Sequence, residues 1–226
     1  MESNELRPSQ GLGVLHLFCK IQKGIDKQKV TEIVDDALSS SMQVVTVSIL
    51  GHKSDVAFMV LSQDWVQLRK FQTSISAAGL DVVDSYVSLT EISEYAEGVP
   101  EEMRQARLYP VLPPEDKKAW CFYPMSKRRN PKQNWFTLPF EKRKELMYEH
   151  GASGRKFSGR VLQVITGSTG VDDYEWGVTL FCVHPDDLKD VVYTMRFDEA
   201  SAEYAEFGSF YSGYVLPIDK LLDEHF

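Results

Sequence analysis

The densest group of chemically useful side chains is Cys121-Phe-Tyr-Pro-Met-Ser-Lys-Arg-Arg129, an apolar run with a tyrosine that passes straight into three cations. The whole chain carries 25 Lys+Arg against 33 Asp+Glu, a formal net charge of −8. Against that background Lys127, Arg128 and Arg129 form a local positive centre suited to an anionic ligand. Asn134-Trp135-Phe136 then sets aromatic surface beside the charge. A solvated basic turn with Trp135 in the core is the plainer alternative, and composition does not separate the two. Downstream, Arg196 in Met195-Arg-Phe-Asp-Glu199 precedes Ser201, Tyr204 and Phe207. Arg196 and Ser201 can converge on one ligand, or Arg196 can pair with Asp198 or Glu199 on a helix surface.

His150 closes a helical stretch opened by Pro139, and Gly151 follows where a left-handed C′ residue would stand. Leu146, one turn earlier, sets the imidazole near the buried face. A helix C-terminus favours imidazolium, which by itself accounts for a histidine there. One inward histidine with no His or Cys partner makes no protein-only metal site, yet it suffices as the single protein ligand of a heme iron. His52 lies in a turn, His184 ahead of a helix and His225 in the tail. Gly167-Ser-Thr-Gly170 lacks a Walker lysine, joins two strands and borders Asp172 and Asp173, so it reads as a turn rather than a phosphate loop.

Composition bounds the rest. A length of 226 residues fits one large domain or two small, tightly joined ones. With 43% hydrophobic and 26% charged residues the chain can bury a core. The acidic balance disfavours nucleic acid as a partner. No apolar run approaches the ~20 residues a bilayer span needs, and MESNELRPSQ does not read as a signal peptide. Cys19, Cys121 and Cys182 are far apart and lack CxxC spacing, which argues against a disulfide scaffold or a zinc site and fits a reducing cytoplasm.

The elements that must position these residues repeat. Leu12–Ile21 alternates as a strand, Asp26 caps a helix near Lys27–Leu38, and Val44–Leu50 and Val56–Leu61 form a hairpin across Gly51–Asp55. Asp64 caps a helix over Trp65–Ala78, and Leu80–Leu89 is a strand. The second half follows the same order: strand Lys118–Tyr123, helix Phe140–His150, strands Val161–Thr166 and Glu175–Val183, one helix near Pro185–Glu203, and strand Phe207–Val215. The fold class is therefore α+β. Two ferredoxin-like split-βαβ halves, each β-α-β-β-α-β, give two four-stranded antiparallel sheets packed as a barrel-like pair, the dimeric α/β barrel type. The expected organisation is an N-terminal half over 1–90, a Pro- and charge-rich connector over 91–117, and a C-terminal half over 118–226. Connectors this long are usually functional or flexible, and a plain linker is the alternative.

Six blocks occur in order: Tyr123-Pro-Met-Ser-Lys-Arg-Arg129, Asn134-Trp135, Glu149-His150-Gly151, Gln163-Val-Ile-Thr-Gly167, Asp173-Tyr-Glu-Trp-Gly177, and Met195-Arg-Phe-Asp-Glu-Ala-Ser201 through Tyr204-Ala-Glu-Phe-Gly208. Together they resemble the coproheme decarboxylases of the chlorite dismutase-like superfamily. The resemblance covers the second half densely and the first half mainly in element order. It implies a homopentamer of two ferredoxin-like halves with the porphyrin in the C-terminal half. The implied substrate and redox cofactor is iron coproporphyrin III, with hydrogen peroxide as oxidant and heme b as product by way of a three-propionate intermediate.

The family pattern puts the proximal iron ligand at His150, the radical-forming tyrosine at Tyr123 and a propionate-side lysine at Lys127. Arg196 and Ser201 match propionate-holding residues, Met125 falls at the distal edge, Ser126 and Gln163 count among the coproheme-binding residues, and Trp135 lines the pocket. A family arginine upstream of the tyrosine corresponds to Arg107, although Pro113-Pro-Glu-Asp-Lys-Lys118 can shift that alignment. Chlorite dismutases carry a distal arginine thirteen residues after the proximal histidine, where this chain has Gln163. A neutral amide cannot give cationic stabilisation at the iron, which favours the decarboxylase. The rivals are a chlorite dismutase or heme peroxidase of the same superfamily and a non-enzymatic heme carrier or sensor. Transient contact with ferrochelatase and no contact with membrane or nucleic acid complete the expectations.

Overall fold

The computed structural model describes residues 5–225. The first half runs β1 (Gly13–Ile21), α1 (Lys27–Ser39), β2 (Gln43–Ile49), β3 (Val56–Ser62), α2 (Trp65–Ala77) and β4 (Leu80–Thr90). Both helices start where an aspartate can accept from their first turn: Asp26 takes Lys29 N–H and Asp64 takes Val66 N–H. After α3 (Glu101–Leu108) the second half runs β5 (Ala119–Lys127), the short pair β6 (Arg129–Asn130) and β7 (Gln133–Asn134), a 3-10 turn (Trp135–Thr137) and α4 (Phe140–Arg155). Then come β8 (Val161–Gly167), β9 (Trp176–Cys182), α5 (Pro185–Met195), α6 (Glu199–Ala202), β10 (Ala205–Phe207), β11 (Tyr211–Val215) and α7 (Ile218–Glu224).

The two expected four-stranded sheets are present as β2-β3-β1-β4 and β11-β5-β9-β8, but they are joined into one antiparallel sheet that closes into a ring. Two seams join the halves. β11 meets β2 through three residue pairs, and β4 meets β8 through two, Leu89–Gly167 and Thr90–Thr166. Gly213 lies in the first seam, where a Cβ would stand 2.0 Å from the backbone oxygen of Ser48, so no larger residue lets the strands approach.

Period-two alternation sorts the side chains of each strand between the two faces of the ring. Val14, Phe18, Val45, Val47, Met59, Trp120, Phe122 and Phe181 fill the interior, drawn from both halves. The outer face of the first half is sealed by α1, α2 and the C-terminal α7, whose Val34, Phe71 and Leu221 cluster with Leu17, Phe58 and Val60 of the sheet. The outer face of the second half lies under α5 and α4 and carries Cys121, Tyr123, Val178 and Leu180. All three cysteines are free and buried. Among the described residues no helix is long and apolar enough to cross a membrane.

Several boundaries differ from the sequence reading. β5 continues past Tyr123 to Lys127, because Pro124 needs no N–H for its place opposite Gly177. α4 runs through His150 and Gly151 to Arg155, and Gly151 has no positive φ, so His150 sits inside the helix rather than at its end. The single helix expected over Pro185–Glu203 is two, separated where Asp198 caps α6 by accepting from Ser201 N–H. The final strand is likewise two, β10 and β11, both on one edge of β5. The connector contains α3, whose last turn is tied to the ring by Thr90 Oγ1 donating to the Leu108 carbonyl at 2.8 Å.

His16 projects from β1 into the ring interior and bonds Thr179 Oγ1 of the other half at 3.0 Å. Full burial pushes its pKa down to about 3 from the usual 6.5, so the folded protein keeps it neutral while the unfolded chain protonates it. Its share of stability is complete above about pH 6.5 and is lost as pH falls toward 3, at up to about 1.4 kcal/mol per pH unit. We expect urea unfolding to show this slope in the native chain and a flatter one in His16→Gln. Parallel pH profiles for the two proteins would contradict it.

Candidate functional site

Residues paired directly across strands share a face, which makes the outer surface of β5, β9 and β8 a floor of defined rows. One row is Met125, Trp176 and Gly167; the next is Tyr123, Val178 and Ile165; the next is Cys121, Leu180 and Gln163. Most of this floor is apolar, and Ile165 stays exposed on it. α4 passes above. A Cβ on Gly154 would stand 3.4 Å from Gln163 Nε2, and Gln163 Nε2 also donates to Met195 Sδ at 3.8 Å. His150 is one turn before Gly154, so imidazole and amide lie on one side of α4.

His150 Nδ1 lies 3.1 and 3.2 Å from the two carboxylate oxygens of Asp198, with Ser201 Oγ at 3.3 Å. Asp198 is buried and also accepts from Ser201 N–H at 3.0 Å. Burial alone would raise its pKa, but the His150 and Ser201 bonds outweigh that and hold it below the ordinary carboxylate range. With Nδ1–H committed to the carboxylate, the lone pair of Nε2 is available to a metal, and the ring is held in one orientation. Among the described residues no cluster of three or more His, Cys, Asp or Glu could hold a metal ion.

The three consecutive cations do not act together. Lys127 turns inward and is buried; its Nζ donates to Ala200 O at 2.6 Å and lies 4.4 Å from the centroid of Trp135. Burial pushes its pKa down to about 8, against the pull of Asp198 and Glu175. Arg128 is taken up by Gln133, the Glu203 carbonyl and Glu206, and Arg129 is exposed on β6. Trp135 is in the core with Leu146 and Ala200, as the plainer alternative had it, and at the same time covers the Lys127 ammonium.

Tyr123 is buried, stacked on Phe210 at 4.4 Å and tilted against Phe207 at 5.7 Å. Its hydroxyl makes no hydrogen bond among the described residues. Burial, then the nearby Cys121, push the phenol above its ordinary range, with Arg196 opposing. Arg196 caps the end of α5 and stacks over Phe207 at 4.1 Å rather than pairing with Asp198 or Glu199. Ser126 Oγ accepts from Glu175 N–H at 3.2 Å.

The fold thus gathers Lys127, Trp135, His150 and Ser201 around Asp198, and Tyr123, Met125 and Arg196 beside them on β5 and α5. It does not bring in Arg107, which is exposed on α3 with no hydrogen bond or ion pair to the others. Sequence reasoning missed Asp198 as the partner of His150, and Glu175, whose carboxylate accepts from Lys127 N–H at 2.7 Å. An acidic N-cap ahead of Glu199-Ala-Ser201 was a readable helix start; its reach to His150 was not. A groove of about 990 Å³ runs past Leu188, Val192, Arg196 and Phe210, and His150 is not among the residues that line it.

The family model for chlorite dismutase matches residues 24–216. The coproheme decarboxylase of Staphylococcus carnosus (strain TM300) is 46% identical over 186 residues, 77% of this chain and 73% of that one. A solved heme-binding protein from Thermus thermophilus superposes with a TM-score of 0.85 at 33% identity, covering 97% of both chains. Chlorite dismutase from Candidatus Nitrospira defluvii, solved with imidazole, shares the fold at a TM-score of 0.78 and 18% identity over 96% of each chain.

Asp198→Asn keeps the size of the cap but presents an amide N–H to the imidazole, which favours the wrong tautomer. With ferric coproheme as a probe of the imidazole, we expect binding about 10–100-fold weaker than in the native chain, the usual cost of losing such a partner, measured by Soret titration. Unchanged affinity would mean that Asp198 does not orient His150.

Proposed function

The chain belongs to the chlorite dismutase family, and from that premise we propose that it converts iron coproporphyrin III to heme b, removing two propionates as carbon dioxide at the expense of hydrogen peroxide. The observation that carries the reading is the pairing of His150 with Asp198, opposite a floor whose polar group at position 163 is a neutral amide. Each round takes one propionate, one peroxide and one proton to a vinyl group, carbon dioxide and two waters. The porphyrin iron supplies the redox chemistry when bound; the protein supplies placement and hydrogen transfer.

In this reading His150 Nε2 holds the iron, and Asp198 and Ser201 fix the ring. Tyr123 carries the hydrogen. Burial keeps its phenol protonated at working pH, and an unbonded hydroxyl is free to give up a hydrogen atom and take one back from a propionate β-carbon. Lys127, with a pKa near 8, can hold the second propionate or exchange a proton with it. Arg196 and Ser201 bind propionate, while Met125, Ser126 and Trp135 shape the edges. Gln163 can hydrogen-bond an oxidant but neither takes its proton nor offers a charge, which argues against chlorite as substrate and for weak general peroxidase activity. Arg107 can serve a propionate only if α3 approaches the site.

The division into 1–90, 91–117 and 118–226, the homopentamer, transient contact with ferrochelatase and a cytoplasmic location belong to the same proposal. Three free buried thiols agree with a reducing compartment.

The test is stepwise peroxide addition to the coproheme complex, following porphyrins by chromatography and mass. A three-propionate species and then heme b are expected. Tyr123→Phe should bind coproheme within a few-fold of native and lose conversion by roughly two orders of magnitude or more, the scale for removing a hydrogen-carrying group. Tight binding with no carbon dioxide release would leave a carrier, and full activity in Tyr123→Phe would remove the tyrosine from the mechanism.

A further inference from the structure

Two kinds of oxidisable aromatic flank the His150 site, and their surroundings differ. Tyr123 lies between Phe210, stacked at 4.4 Å, and Phe207 at 5.7 Å. Phenylalanine is the hardest aromatic side chain to oxidise, so a hole that reaches Tyr123 has no easy exit through either ring. The nearby guanidinium of Arg196 spends its π contact on Phe207. On the α4 side stand Trp135 and Tyr204, edge to face at 5.4 Å, packed with Leu146 and Met147 one turn before His150. Indole and phenol together are a competing sink for any oxidising equivalent produced at that histidine.

One feature separates this pair from Tyr123. The Lys127 ammonium is 4.4 Å from the Trp135 centroid and is pinned there by the carbonyl of the fully buried Ala200 at 2.6 Å. A cation over a neutral ring is attracted to its π electrons. Over a ring that has lost an electron the same cation is repelled, and the indole becomes harder to oxidise. We propose that the Lys127 ammonium guards Trp135, and through it Tyr204, so that the oxidising equivalent settles on Tyr123. The inference rests on the reading of His150 as the iron-porphyrin ligand.

Diversion has a definite product. If the guard fails, the indole and one peroxide give a hydroxylated indole and one water, and that peroxide releases no carbon dioxide. Lys127 is faced by Asp198 from the turn before α6 and by Glu175 from the turn before β9, which hold the charge on; burial takes it off, and the balance falls at about 8. The guard therefore weakens as pH rises.

The experiment uses the full chain loaded with ferric coproheme, treated with peroxide and digested for mass spectrometry of the peptide carrying Trp135. Oxygen addition to Trp135 per peroxide consumed is expected to rise several-fold in Lys127→Met. It should return near the native level in Lys127→Arg and rise in the native protein between pH 7 and pH 9. Equal Trp135 oxygenation across pH in the native protein, with coproheme bound, overturns the guard even if Lys127→Met does not fold. Absence of any Soret change on mixing the native chain with coproheme overturns the porphyrin reading, and the guard with it, before peroxide is added.

Discussion

Asp198 joins three fragments that lie far apart in the sequence. Its carboxylate ends the gap after α5 by capping α6, receives the Nδ1–H of His150 from α4, and faces the ammonium of Lys127 at the end of β5. A buried carboxylate is tolerated only when its lone pairs are filled, so each partner is a condition for the others. Remove the imidazole and the cap must satisfy the charge alone. Remove the cap and Ser201 and Ala200 shift, taking with them the carbonyl that fixes Lys127. The site is thus one electrostatic unit, and its position on the outer face of the second half follows from where β5, α4 and α6 converge.

The two halves use one supersecondary plan for different ends. In the first, the outer face of the sheet is covered by apolar helix surface and closed by α7. In the second, the equivalent face carries Tyr123, Met125, Gln163 and the exposed Ile165, and α4 offers it a histidine. One half is stabilised at the expense of access and the other is left open. The shared interior, where His16 reaches across to Thr179, lets the sealed half support the open one.

The repeated order of strands and helices was legible because it depends on local signals: alternating β-branched runs and the aspartates that cap α1 and α2. Where tertiary contacts overruled those signals the sequence misled. Pro124 argued for an end to β5, but its place opposite Gly177 needs no N–H, so the strand continued and carried Lys127 into the core. Gly151 resembled a helix stop and is mid-helix. The one helix expected over Pro185–Glu203 passed over the break that Asp198 imposes. Of the candidate site, the residue types and their block order were readable. The contact of Asp198 with a histidine 48 positions earlier was not, since it exists only once α4 packs against α6.

The unequal pairing around the ring bears on how the protein is made. β2 and β4 are the outer strands of the first half, and their free edges are covered only by β11 and β8. On a ribosome the first half is complete at Thr90, whereas β11 ends at Val215. At ~5–20 residues per second that interval lasts on the order of 10 s. For that time a nascent four-stranded sheet shows two unpaired edges and the whole apolar surface of its future interior, the kind of template that captures other strands. Neighbouring ribosomes on one message carry the same exposed sheet, so slower translation through the second half lengthens the time in which two copies can pair edge to edge.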